Sequence, residues 1–141
     1  MITKRLNLKP FVATKAMKGF FIFERGEDQM NAQGWIRGMI AKNYSSTEFL
    51  QLVVTTIHRQ LQRWDETIDV VLYQNMFDKN TFEIKIIEEG ITYCIFLDKE
   101  KVSKLQKDWA FALDQFLWEQ LISKGFTIRE SDGKYLTYCA I

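Results

Sequence analysis

Nucleophilic, acid–base or metal chemistry in this 141-residue chain would have to pass through very few side chains. His58 is the sole histidine. Any Ser/His/Asp or Cys/His arrangement must therefore use it, and a His-based metal site of the usual kind cannot form. Cys94 and Cys139 are far apart and have no CxxC spacing, which excludes a zinc pattern or a disulfide framework. Both fall in β-rich stretches, where a cysteine acts as a small core hydrophobe. The acid pairs Glu27-Asp28, Asp65-Glu66 and Glu88-Glu89 fall at expected loops or turns. Carboxylates there are solvated and lack the shifted pKa that general acid/base work needs. Neither GxxxxGK[ST] nor GxGxxG occurs. No catalytic residue, metal site or cofactor is assigned. An enzyme or small-molecule binder would need a helix–sheet pocket near Tyr93, Trp109 or Trp118.

Charge points to a different chemistry. Net charge is only +1, but residues 1–63 carry +6 and residues 64–141 carry −5. The basic half mixes aromatics with cations in "KAMKGFFIFER" and "GWIRGMIAKNY", a composition that can stack bases and neutralise phosphates. A nucleic-acid surface would draw on Lys4, Arg5, Lys9, Lys15, Lys18, Arg25 and Arg37. An RNP1-like run is absent, and the two oppositely charged halves can equally attract each other.

The remaining candidate is a surface for another protein. Across "KDWAFALDQFLWEQLISKG" (107–125), Trp109 and Trp118 are nine positions, hence about 180°, apart on a helix. The Trp109 side, with Val102, Leu105, Ala112, Leu113 and Phe116, is a core stripe. The opposite stripe of Phe111, Trp118 and Ile122 is narrower and rimmed by polar residues. It is covered either by the chain's own first 44 residues or by a partner, another protein or a second copy.

The elements that hold these residues follow from local pattern. Ser45 and Glu48 form a capping-box signature, and Phe49, Leu50, Val53, Ile57, Leu61 and Trp64 recur at helical spacing, giving a half-buried helix. Ile68–Tyr73 alternates as a strand. "NTFEIKIIEEGITYCIFL" reads as a hairpin around Glu89-Gly90, pairing Ile86 with Tyr93, Ile84 with Ile95 and Phe82 with Leu97. Asp98 caps a second helix from Lys99 to about Lys124, and Gly125 is its C′ residue. A second hairpin is expected around Asp132-Gly133, with Phe126 opposite Cys139 and Ile128 opposite Thr137. "KGFFIFE" (18–24) reads as a strand, and the stretch holding Gly34 and Gly38 as an irregular or strand-like connection.

This order is that of an α+β domain, an antiparallel sheet with two main helices on one face, ferredoxin-like (split βαβ) or a related two-layer sandwich. One domain over residues 1–141 is expected, with an irregular, strand-rich part over 1–44 and a helix–hairpin–helix–hairpin body over 45–141. Hydrophobic content of 47% and charged content of 26% are ordinary for a soluble protein. The apolar runs are too short for a membrane span or a secretory signal, so the expected location is the cytoplasm. The expected role is that of a small non-enzymatic regulatory or interaction protein.

Overall fold

The computed structural model describes residues 3–8, 30–131 and 133–141. Its elements in chain order are β1 (Thr3–Leu6), α1 (Met30–Asn43), α2 (Ser46–Trp64), β2 (Asp69–Asn75), β3 (Thr81–Glu88) and β4 (Ile91–Asp98). These are followed by α3 (Lys99–Asp108), α4 (Ala112–Ser123) and the short α5 (Tyr135–Tyr138). The expected strand over 18–24 lies outside the described residues.

The four strands form one antiparallel sheet in chain order, β1-β2-β3-β4. A mixed α+β architecture is therefore present. Among the described residues each strand lies beside its sequence neighbour, an order that does not show the interleaving of a split βαβ unit. Glu89 and Gly90 both take positive φ (46° and 81°), which closes the β3–β4 hairpin with a two-residue turn and fixes the expected register, Ile86 to Tyr93 and Phe82 to Leu97. One face of the sheet is then a continuous apolar surface of Val70, Leu72, Phe82, Ile84, Ile86, Tyr93, Ile95 and Leu97, all buried under the helices.

Helix α2 is the centre of the helical layer. Its capping box is closed in both directions, Ser45 accepting from the Glu48 amide and Glu48 from the Ser45 amide. The helix is more deeply buried than a one-stripe pattern implies. Phe49 through Thr55 are all buried, because β2 covers one side while α3, α4 and the residue just after β1 close the rest. Gln51 Nε2, for example, donates to Asn7 O at 2.9 Å.

Three expectations are corrected. The stretch with Gly34 and Gly38 is helical, not strand-like or irregular. Ile36 and Ile40, one turn apart, are both buried, and that burial overrides the roughly 1 kcal/mol per glycine that helix propensity costs. The expected single helix from Lys99 to Lys124 is two helices. Trp109 ends α3 in an extended conformation (φ −146°, ψ 168°), and α4 starts afresh at Ala112. The break resets the helical phase, so Trp109, expected in the core stripe, is 39% exposed, while Trp118, expected on a second, covered stripe, is fully buried within the chain.

The third correction is the C-terminal hairpin, which does not form. After α4, Gly125 (φ 101°) closes a Schellman motif: its amide donates to Ile122 O and the Phe126 amide to Leu121 O. The chain then runs irregularly to Ser131 and ends in α5. Phe126, Leu136 and Cys139 are buried against the helices, not paired in a sheet.

Candidate functional site

The densest meeting of polar side chains lies inside the helical layer. Arg37 projects from α1, one residue beyond the core position Ile36. Asp114 lies in the first turn of α4, between the buried Leu113 and the polar Gln115. Tyr135 opens α5. The Arg37 guanidinium donates to both carboxylate oxygens of Asp114, through Nη1 to Oδ1 and through Nη2 to Oδ2 at 3.0 Å. The Tyr135 hydroxyl donates to Asp114 Oδ2 at 2.5 Å, and the Trp118 indole N–H donates to that hydroxyl at 3.2 Å. Asp114 is fully buried and Arg37 nearly so.

Aromatic rings wall the ion pair. The Arg37 guanidinium carbon lies 4.7 Å from the Phe111 ring centre and 5.8 Å from that of Phe49. Phe111 is stacked on Tyr138 at 5.4 Å, and Trp118 meets Trp64 edge-on at 5.9 Å. The planar guanidinium suits this setting, since it can form a two-pronged bond in its plane and contact rings with its faces.

Electrostatics follow from the geometry. Burial pushes the Arg37 pKa down, but the adjacent Asp114 more than offsets it, and the net direction is up. Burial, reinforced by the Asp114 charge, pushes the Tyr135 phenol well above its ordinary value. The Cys139 thiol is raised for the same two reasons. A thiol held protonated in this way is no nucleophile, and a phenol held neutral is a hydrogen-bond donor rather than a base. The cluster joins three segments of the chain, α1, α4 and α5, around a charge pair.

The expected interface residues are thereby separated. Phe111 and Trp118 are buried, Trp118 completely, and only Ile122 is open to solvent at 42%. What lies on Trp118 is Trp64 at the end of α2 and Tyr135 of α5. Among the described residues, the cover on Trp118 comes from α2 and α5, and Phe111 is met by Arg37 of α1 and Tyr138 of α5. Sequence reasoning assigned no role to Asp114 or Tyr135. Asp114 was legible only as one of the polar residues beside the Trp118 stripe, because its partners lie 77 and 21 positions away.

The basic set is scattered. Lys4 and Arg5 are exposed on β1, and Arg37 is consumed by its ion pair. Lys9, Lys15, Lys18 and Arg25 lie outside the described residues, as does the acid pair Glu27-Asp28. Asp65 accepts from both the amide and the hydroxyl of Thr67, and Glu88 pairs with Arg129. His58 sits at the boundary of the core, and its Nε2 is buried without a hydrogen-bond partner among the described residues. Among those residues no group of three His, Cys, Asp or Glu side chains could hold a metal ion. None of their helices is long and apolar enough to cross a membrane.

A second feature stands on the opposite margin. β4 is an edge strand, and residues 91–97 (ITYCIFL) contain no charge and no proline. The two-residue turn makes Glu88 and Ile91 a hydrogen-bonded pair, and the Lys99 amide bond to Asn80 O (2.7 Å) falls on the same alternation. Ile91, Tyr93, Ile95 and Leu97 therefore turn their backbone groups toward β3. Thr92, Cys94 and Phe96 turn theirs away from the sheet, where no described strand meets them. Their side chains share the outer face, on which Phe96 is 63% exposed. Compared with known proteins, the chain matches no family model, no curated protein and no solved structure.

Proposed function

We propose that this chain is a small interaction protein, without a reaction of its own, that accepts a partner's extended strand along β4. The observation that supports this reading is that no described strand pairs with the outer edge of β4. Edge strands are ordinarily blunted by lysine, proline, a bulge or shortness. β1, at the other edge, is four residues long and carries Lys4 and Arg5, whereas β4 is eight residues long with neither lysine nor proline. A strand added there gains main-chain hydrogen bonds for affinity and side-chain contacts at alternate positions for specificity. Ile91 and Phe96, both more than half exposed, are the apolar contacts it would cover.

A nucleic-acid role draws less support, since only Lys4 and Arg5 of the expected basic set are exposed among the described residues. The outer sheet face mixes Arg5 and Lys85 with Glu83, and Lys85 already lies 5.5 Å from the Tyr73 ring centre. The test is selection of a displayed random-peptide library against the wild-type protein and against a Thr92→Lys/Phe96→Lys variant. The expected result is enrichment of strand-forming peptides that bind the wild type and are lost on the variant. Peptides that bind both proteins equally, or no enrichment at all, would remove the reading.

A further inference from the structure

Resting on that reading of β4, we infer that its partner is a second copy of this chain. The two β4 strands pair antiparallel about a two-fold axis through Cys94, making one continuous sheet of four strands from each copy. The row of outward backbone groups at Thr92, Cys94 and Phe96 calls for a strand, and the sequence of β4 is its own complement. With the axis at Cys94, Thr92 meets Phe96 of the other copy and the two Cys94 residues face each other on the outer face. On the inner face Ile91 meets Leu97 and Tyr93 meets Ile95. All seven uncharged residues then lie opposite uncharged residues.

Neighbouring registers lose that match. An axis at Tyr93 sets Leu97 against Glu89, and an axis at Ile95 sets Ile91 against Lys99 and Thr92 against Asp98. The Cys94 register instead brings the Glu89 turn to the point where Lys99 of the other copy starts α3, placing opposite charges at both ends. Such an interface is isologous, the same patch used twice, and it closes at two copies and does not propagate. It leaves the outer edges to the two β1 strands, whose Lys4 and Arg5 disfavour further addition.

Cys94 makes the register testable. Directly opposed residues in a hydrogen-bonded antiparallel pair have Cα atoms about 5.5 Å apart, within the usual disulfide span of about 4.4–6.8 Å. Cys139 is fully buried and does not compete. The experiment combines sedimentation of the full chain over a range of concentrations with diamide oxidation, the oxidant taking up the two electrons as two thiols become one disulfide. The expected result is a reversible dimer that diamide traps through Cys94. Cys139→Ser should be trapped equally, and Cys94→Ser should sediment as a dimer without being trapped. In the proposed register Thr92→Cys on the Cys94→Ser background places its thiols several residues apart across the pair, so it should stay untrapped. Cys94→Lys should be monomeric, with a melting temperature that does not depend on concentration and matches that of the wild type at its lowest, dissociated concentrations.

A wild-type monomer at every concentration, a dimer that survives Cys94→Lys, or equal trapping of the Thr92→Cys variant would each overturn the inference. A monomer that still takes strand-forming peptides at β4 would leave the interaction reading standing and remove only the second copy. A monomer that takes none would remove both.

Discussion

Two margins of the same helix–sheet core are finished in opposite ways. At the α4 margin, the Arg37 guanidinium, the Asp114 carboxylate, the Tyr135 hydroxyl and the Trp118 indole N–H each meet a partner, and the chain's last residues are drawn in to supply one of them. At the β4 margin, backbone groups of three residues point outward and no described element turns to meet them. A buried unpaired charge costs far more than an amide left to water, so the first margin had to be closed within the chain. The second can stay open, available to a partner. The difference predicts strong effects on folding from one margin and strong effects on association from the other.

The largest effect is expected at Asp114. Asp114→Ala leaves Arg37 buried without its counter-charge and Tyr135 without its acceptor, and breaking one side of a buried pair costs about 3–5 kcal/mol. Urea denaturation should show that loss. If charge isolation is the cause, the double variant Arg37→Met/Asp114→Leu should lose less than Asp114→Ala alone. A double variant no better than the single would mean that the site serves as packing rather than as a charge pair.

Alkali should weaken the same margin. Burial first, and the Asp114 charge second, hold the Tyr135 phenol and the Cys139 thiol protonated in the folded chain. In the unfolded chain they ionise near about pH 10 and about pH 8.5. With both folded values raised, the folded state keeps protons that the unfolded state has released. Stability is therefore intact below about pH 8.5, falls as pH rises past that value, and falls more steeply past about pH 10. Denaturation midpoints measured against pH should show this decline. Cys139→Ala should remove its earlier part and Tyr135→Phe its later part.

The elements that could be read from sequence are those whose determinants are local. The Ser45–Glu48 box and the β3–β4 register each rest on contacts a few residues apart, and both form as expected. The α3–α4 break has no proline or glycine to announce it. Next to it Phe111 meets Arg37, 74 positions earlier in the sequence, and Tyr138, 27 positions later, contacts that no local pattern records. Asp132-Gly133 carried the stronger local hairpin signal, yet residues 135, 136 and 139 have helical spacing. Burying Leu136 and Cys139 together against the helices won over strand alternation. The polar cluster was illegible for the same reason, since each member is ordinary until its distant partner is known.

A smaller effect on folding is expected for Tyr135→Phe at neutral pH. It removes the donor to Asp114 Oδ2 and the acceptor for the Trp118 indole while keeping the ring. Net losses of single hydrogen bonds cluster near 1 kcal/mol, so about 1–2 kcal/mol is expected, well below the cost of Asp114→Ala. Trp118 fluorescence offers an independent readout, because its N–H loses its protein partner. An unchanged emission maximum together with unchanged stability would show that Tyr135 covers Trp118 by its ring alone.

The smallest effect on folding falls at the open margin. Phe96 lies on the outer face of an edge strand and is more than half exposed, so Phe96→Lys should change the unfolding free energy by no more than about 0.5 kcal/mol in either direction. Because lysine on an edge strand disfavours added strands, the same variant should lose most of its association. The ratio of the two effects is what distinguishes the margins. Asp114→Ala should lower stability severalfold more than Phe96→Lys, while Phe96→Lys alone should separate association from folding. A Phe96→Lys protein that associates normally would mean that the exposed aromatic is incidental to the β4 edge. One that unfolds would mean that the outer face is part of the core after all.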